Sequence, residues 1–166
     1  MEEFTLLLRV LAIGVGATAT MDAVAILTHR FLGMALPDYG LVARWIGHMG
    51  HGQFRHAPIT KAPAIPGELG LGWFVHYATG VGYAVALLTI WGLDWMRNPT
   101  ILPPLILSLA ALAIPFLIMQ PAFGLGIAAS KHPHPWAARL RSLTAHSAFG
   151  FGLYLAARAS LLVLPV

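Results

Sequence analysis

The sequence has no cysteine and few charged residues, and each shortage excludes some classes of protein. The absence of cysteine excludes a disulfide scaffold and thiol chemistry. Charged residues make up 10% of the 166 residues, whereas about a quarter of the residues are charged in an ordinary soluble domain. A disordered chain is excluded too, because disorder needs much charge and little apolar surface. Apolar residues reach 58% and the mean hydropathy is +0.74, which indicates a small polytopic membrane protein.

Several motifs that would identify an enzyme are also missing. The sequence has no GxxxxGK phosphate loop, no GxSxG nucleophile elbow and no HExxH zinc motif. Acidic residues are too few and too scattered for a paired-carboxylate hydrolase. The net charge is +4, but the basic residues lie scattered between apolar stretches, so a nucleic-acid partner is excluded. The sequence singles out no catalytic residue and leaves open whether the protein is an enzyme.

Four segments are long and apolar enough to span a membrane, which takes about 20 residues. Leu, Ala, Val, Ile and Phe dominate each segment, and none shows the alternation of a barrel strand. The segments lie at about 5–28, 69–91, 101–129 and 140–164. We therefore predict an all-α fold in which residues 1–166 form one integral-membrane domain, a transmembrane four-helix bundle in the lipid bilayer.

The distribution of basic residues predicts the orientation, because cytoplasmic loops collect Lys and Arg. The first and third loops and their flanks carry Arg30, Arg44, Arg55, Lys61, Lys131, Arg139 and Arg141, and the opposite side carries Arg9, Arg97 and Arg158. The excess of seven over three places both loops in the cytoplasm and both termini in the periplasm.

The first loop contains a stretch with helical periodicity. One stripe of it is apolar, with Leu41, Val42, Trp45, Ile46 and Met49. The opposite face carries Arg44, His48, His51 and Arg55. This pattern favours a short helix in the membrane interface. Glycines at 47, 50 and 52 weaken a helix there, and a loop packed on the end of the bundle is the alternative.

The second and fourth spans share the motif His-x-x-x-Gly-x-Gly, followed within two residues by tyrosine. It begins at His76 and at His146. Both helices enter from the same side, so the motif favours two repeated helical hairpins related by an axis along the membrane normal, as in some transporters. The alternative is chance recurrence, because small residues are common in membrane helices.

One strongly polar residue stands out in each span, and the four lie at a similar depth when 1.5 Å is counted per residue. They are Asp22, His76, Gln120 and His146. Such groups are costly in hydrocarbon and usually face the interior of a bundle, where they mark function. Pro115 and Pro121 flank Gln120 and predict a kink in the third span.

Three interpretations of this polar layer are open. As a binding site, it would use His76 and His146, with Gly80 and Gly150 one turn away, to hold a haem-like cofactor or a small ligand. Asp22 would complete a transition-metal site with the two histidines. As a pathway, it would carry protons or substrate in a dimeric transporter or channel subunit. As a structural layer, it would lock the bundle by hydrogen bonds. We take the binding site as the leading functional prediction, and an accessory subunit of a larger membrane complex is a further alternative.

Four motifs are distributed over nearly the whole chain. They are Gly16-Ala17-Thr18-Ala19-Thr20-Met21-Asp22, Gly72-Trp73-x-x-His76-Tyr77-x-x-Gly80-x-x-Tyr83, Pro121-x-x-Gly124-x-Gly126-x-Ala128-Ala129-Ser130, and His146-x-x-x-Gly150-x-Gly152-Leu153-Tyr154. In these motifs the chain resembles a bacterial family of small four-span integral-membrane proteins of unknown function. The resemblance implies a four-helix protein of the bacterial inner membrane and supplies no activity, substrate or site.

Overall fold

The computed structural model describes residues 2–164 and shows helices and turns but no strand within that range. The α-helices are α1 (Glu2–Leu32), α2 (Tyr39–Met49), α3 (Glu68–Arg97), α4 (Leu102–Ala110), α5 (Gln120–Ala122) and α6 (Pro135–Val163). A π-helical turn at Pro115–Met119 leads into α5, and single 3₁₀ turns lie at Ile59–Lys61 and Ile127–Ala129. The prediction of an all-α fold is confirmed.

Three helical stretches of the described chain are long and apolar enough to cross a membrane. They are Glu3–Leu32, Glu68–Arg97 and Leu102–Ala122, and they coincide with the first three predicted spans. The fourth predicted span corresponds to most of α6, which has 29 residues and ends at Val163. α6 is less apolar than the other three because it carries arginines and His146.

The third predicted span ends earlier than expected. The prediction extended it to residue 129, whereas the helical stretch ends at Ala122. Gly124 and Gly126 follow with φ of 86° and 73°. This left-handed backbone is incompatible with a continuing α-helix, so residues 123–134 form the connection to α6.

α1 lies between two partners, packing most extensively against α6 and also against α3, while α4 packs against α6. Glycine allows these helices to approach closely. A Cβ added at Gly14 in α1 would lie 2.5 Å from Cα of Val81 in α3. One added at Gly152 in α6 would lie 2.9 Å from Cα of Ala17 in α1. Backbone-to-backbone packing of this kind is typical of membrane helices.

α2 confirms that the first loop contains a helix. The carboxylate of Asp38 caps its N-terminus by accepting a hydrogen bond of 3.0 Å from the amide of Gly40. The helix packs against α3. Arg44 binds both carboxylate oxygens of Glu68 at the start of α3, at 2.9 and 2.5 Å. This pair holds α2 against the end of α3 that carries His76.

Candidate functional site

Asp22 of α1 is the centre of a hydrogen-bonded cluster that joins α1, α2 and α3. Its Oδ1 accepts from the hydroxyl of Tyr39 at 2.9 Å and from Nε2 of His76 at 3.0 Å. Its Oδ2 accepts from the hydroxyl of Tyr77 at 3.1 Å. The side chains of Asp22 and His76 are only 14% and 10% exposed. Three donors therefore surround one largely buried acid, which is how a buried carboxylate is made tolerable.

Stacked aromatic rings fix the orientation of the His76 imidazole. The Tyr39 ring lies parallel to it within 19°, with centroids 3.9 Å apart, and Trp73 contacts Tyr39 edge-on at 4.8 Å. Burial, and then the charge of Asp22, raise the pKa of Tyr39 above its ordinary value of 10.0. The Tyr39 hydroxyl therefore remains a protonated donor to Asp22.

Glycines one turn to either side of His76 bring its partners within reach. At Gly72, an added Cβ would overlap the backbone carbonyl of Tyr39, so α2 can approach only because the residue is glycine. At Gly80, an added Cβ would overlap the hydroxyl of Thr18, which itself donates to a carbonyl of α1 at 2.8 Å. The small residues of the motif thus position Tyr39 and Asp22 around His76.

Gln120 and His146 form the other half of the polar layer, and Ser142 lies between them. The Nδ1 atom of His146 is 3.0 Å from the carbonyl oxygen of Ser142, and the amide nitrogen of Gln120 is 3.5 Å from the Ser142 hydroxyl. Since a carbonyl can only accept, Nδ1 of His146 carries the proton and Nε2 is left as an acceptor. Gln120 is 6% exposed, and its Oε1 is buried without a hydrogen-bond partner.

Two adjoining cavities connect these halves. The larger cavity, of about 360 Å³, is lined by His76 and His146, and the smaller one, of about 260 Å³, by Gln120 and His146. Both are also walled by Met21, Tyr39, Val42, Pro115 and Met119. Asp22 lines neither cavity and lies behind His76. The structure thus brings three of the four predicted residues to one pair of cavities, with the fourth holding His76 in place.

The metal and haem versions of the sequence prediction gain no support. Within residues 2–164, no group of three or more histidine, cysteine, aspartate or glutamate residues is arranged to hold a metal ion. Gly80 and Gly150 were predicted to leave room for a flat cofactor. Instead Gly80 faces Thr18, and Gly150 faces Ser108 and the carbonyl of Pro104 in α4. Neighbouring helices therefore occupy the position that a side chain would take at both glycines, and Gly80 also lines a cavity.

Sequence reasoning missed the two tyrosines that bind Asp22. Tyr77 adjoins His76 in the sequence, and Tyr39 directly follows the capping residue of α2. The first residue of a capped helix has a fixed position. The capping residue before Tyr39 is therefore the signal that could have indicated Tyr39 as a site residue. A π-helical turn lies at Pro115–Met119, directly before Gln120, where the sequence predicted a kink. Turns of this kind often occur at functional sites.

A family model described as a protein of unknown function, DUF2938, matches residues 11–160. The chain belongs to the DUF2938 family. The matched range contains Asp22, His76, Gln120 and His146, so the whole candidate site lies in the part of the chain that defines this DUF2938 protein. No curated protein and no solved structure matches the chain. The predicted membership of an uncharacterised family is confirmed, whereas the family's bacterial origin and four-span topology remain predictions.

Proposed function

We propose that this protein is a four-span protein of the bacterial inner membrane that binds a small, mostly apolar ligand in the larger cavity. The supporting observation is that His76, held by Asp22, and His146 line one cavity whose other walls are mainly apolar. Ligand sites are typically concave and apolar with a few well-placed polar groups, and their volumes start at about 300 Å³. The proposal keeps the small-ligand form of the sequence prediction and drops metal and haem.

α6 serves as the fourth span in this proposal. Its 29 residues correspond to about 43 Å, more than the thickness of the hydrocarbon core. Apolar side chains along it, such as Leu143, Phe151 and Leu155, are 45%, 50% and 43% exposed and would face lipid. Its arginines lie within two turns of its ends, where long side chains reach the headgroups.

The environment of Arg9 supports the proposed orientation. Arg9 is 0% exposed and donates to the carbonyl of Met96 at 2.8 Å and to Ser160 at 3.3 Å. Because it is packed between helices, Arg9 is not a loop charge facing the headgroups. Without Arg9, fewer basic residues count for the side of the termini. The excess on the first and third loops is then larger, which favours cytoplasmic loops and periplasmic termini.

The two histidines define the polar chemistry of the ligand. Asp22 accepts from Nε2 of His76, so that nitrogen carries a proton, and His146 is left with Nε2 as an acceptor. His146 lines both cavities, so this acceptor is available to a hydrogen-bond donor on the ligand.

Mass spectrometry of the full chain extracted from membranes tests the proposal. Thr79 lines the larger cavity and is exposed, so Thr79→Trp should fill the cavity without straining the core and should abolish retention of a co-purified molecule. Thr89 lies on the same helix, is exposed and lines neither cavity, so Thr89→Trp is the matched control. Equal retention in both variants, or no bound molecule in the wild type, would refute the proposal.

A transporter or channel subunit is the second candidate, favoured by the hydrogen bond between two ionisable groups, Asp22 and His76, within the helices. It predicts a dimer or a larger membrane complex, and a proton flux into proteoliposomes that Asp22→Asn abolishes. A monomer whose proton flux is unaffected by Asp22→Asn would exclude this candidate.

A further inference from the structure

Gln120 is a polar group whose hydrogen bonding the described residues leave incomplete. Its side chain lines the smaller cavity, its Oε1 has no partner, and its nitrogen makes one long contact of 3.5 Å. A buried polar atom without a partner costs about 1 to 3 kcal/mol. Because the two ends of a glutamine amide are assigned from their surroundings, either assignment leaves one of them unmet. A hydroxyl satisfies both assignments, since it donates and accepts.

Arg141 supplies a positive charge at the same cavity. It lies in the second turn of α6, and its guanidinium makes a single hydrogen bond of 3.5 Å, to the carbonyl of Ala35. The ion pairs of the described residues are formed by other side chains. Asp38, on the same wall, already caps α2. A guanidinium has five N–H donors suited to phosphate or carboxylate oxygens, so most of its donors are available to a ligand.

We propose that the smaller cavity binds the head of a single-chain amphiphile, with a phosphate against Arg141 and a neighbouring hydroxyl against Gln120. This inference rests on the proposed function, because the alkyl chain would continue into the larger, more apolar cavity beside His146. His146 and Met119 line both cavities, so the cavities for the head and for the chain share part of their walls. Arg141 lies near the end of α6, at the depth where a lipid headgroup would sit.

Three probe molecules distinguish the phosphate contact with Arg141 from the hydroxyl contact with Gln120. Lauroyl lysophosphatidic acid has both a phosphate and a hydroxyl, dodecyl phosphate has only the phosphate, and monolaurin has only hydroxyls. Their dissociation constants would be measured by native mass spectrometry on the full chain in detergent micelles. Arg158→Gln is the matched control for charge removal, because Arg158 is an exposed arginine of the same helix and lines neither cavity.

Arg141→Gln should weaken both phosphate-bearing probes by about tenfold or more and leave monolaurin unchanged, because a hydrogen bond to a charged group is lost. Gln120→Leu should weaken the two hydroxyl-bearing probes by about fivefold and leave dodecyl phosphate unchanged. If both variants bound each of the three probes as tightly as the wild type does, the proposed contacts of the head with Arg141 and Gln120 would be overturned. If Thr79→Trp nevertheless abolished ligand retention, the proposed function would stand although the assignment of the head had failed. If Thr79→Trp had no effect either, the proposed function would fail as well.

Discussion

Replacing Asp22 by alanine is expected to destabilise the protein by about 2 to 4 kcal/mol. The variant leaves three donors without their acceptor, namely the hydroxyls of Tyr39 and Tyr77 and the Nε2 proton of His76. Interhelical hydrogen bonds in membranes contribute about 0.6 kcal/mol each on average, which sets the lower bound. Donors left unpaired in a buried site cost about 1 to 3 kcal/mol each, and partial access to water brings the upper bound down.

Single substitutions divide this effect into parts. Tyr77→Phe removes one hydrogen bond and should cost about 0.6 kcal/mol. Asp22→Asn keeps the shape and one accepting oxygen, so its cost should lie between those of Tyr77→Phe and Asp22→Ala. The free energy of unfolding would be measured by circular dichroism in mixed micelles with an increasing fraction of denaturing detergent.

The same variant should also loosen α2, because Tyr39 ties that helix to α1. Hydrogen exchange of the amides of residues 40–49 should accelerate in Asp22→Ala, while the helix stays attached by the pair of Arg44 and Glu68. An Asp22→Ala variant that lost no more stability than Tyr77→Phe, with unchanged exchange in α2, would refute the idea that this acid organises the three helices.

Three other predictions concern packing, burial and pH. Gly14→Ala should cost about 1 to 2 kcal/mol, because the added Cβ meets the backbone of α3. Gly82→Ala, with nothing within 4 Å, should be neutral or stabilising by up to about 1 kcal/mol, and an equal loss in both variants by the same micelle assay would contradict the packing argument. Arg9→Met should be about 2 kcal/mol more stable than Arg9→Ala, because methionine would still fill the buried space that the aliphatic part of Arg9 occupies. Equal melting temperatures of the two variants would contradict this. Burial, and then His48, lower the pKa of His56 from its ordinary 6.5, so the unfolded chain takes up the proton first and stability should fall below about pH 6.5. His56→Phe should flatten that fall in a pH series of hydrogen exchange at residues 56–61, and an unchanged slope would show that another group is responsible.

The fold class and the pairing level of Asp22 and His76 could be predicted because they depend on positions along single helices. Long apolar stretches require helices, since a helix satisfies its own backbone in lipid. The offset of Asp22 and His76 from the ends of their spans placed them at one level, and the structure joins them by a hydrogen bond. The fourth span was harder to assess, because the length of α6 suffices while its polar residues lower its hydropathy.

The partners within the layer could not be predicted, because contacts depend on the rotation of each helix about its axis and on the separation of neighbouring helices. The histidine motif suggested a cofactor slot at Gly80 and Gly150, whereas α1 and α4 pack against these glycines. Tyr39 reaches Asp22 only because α2 folds back onto α3 at Gly72. No periodicity in the first loop carries that information.

The sequence by itself determined an apolar, helical chain and predicted a polar residue at a common level in each span, because hydropathy and rise per residue are local properties. Only the tertiary structure decided that Asp22 binds His76 and two tyrosines, while Gln120 and His146 face the adjoining cavities. The physical reason is that helix rotation and close approach at glycine are set by all the packing partners together, and no single segment contains them.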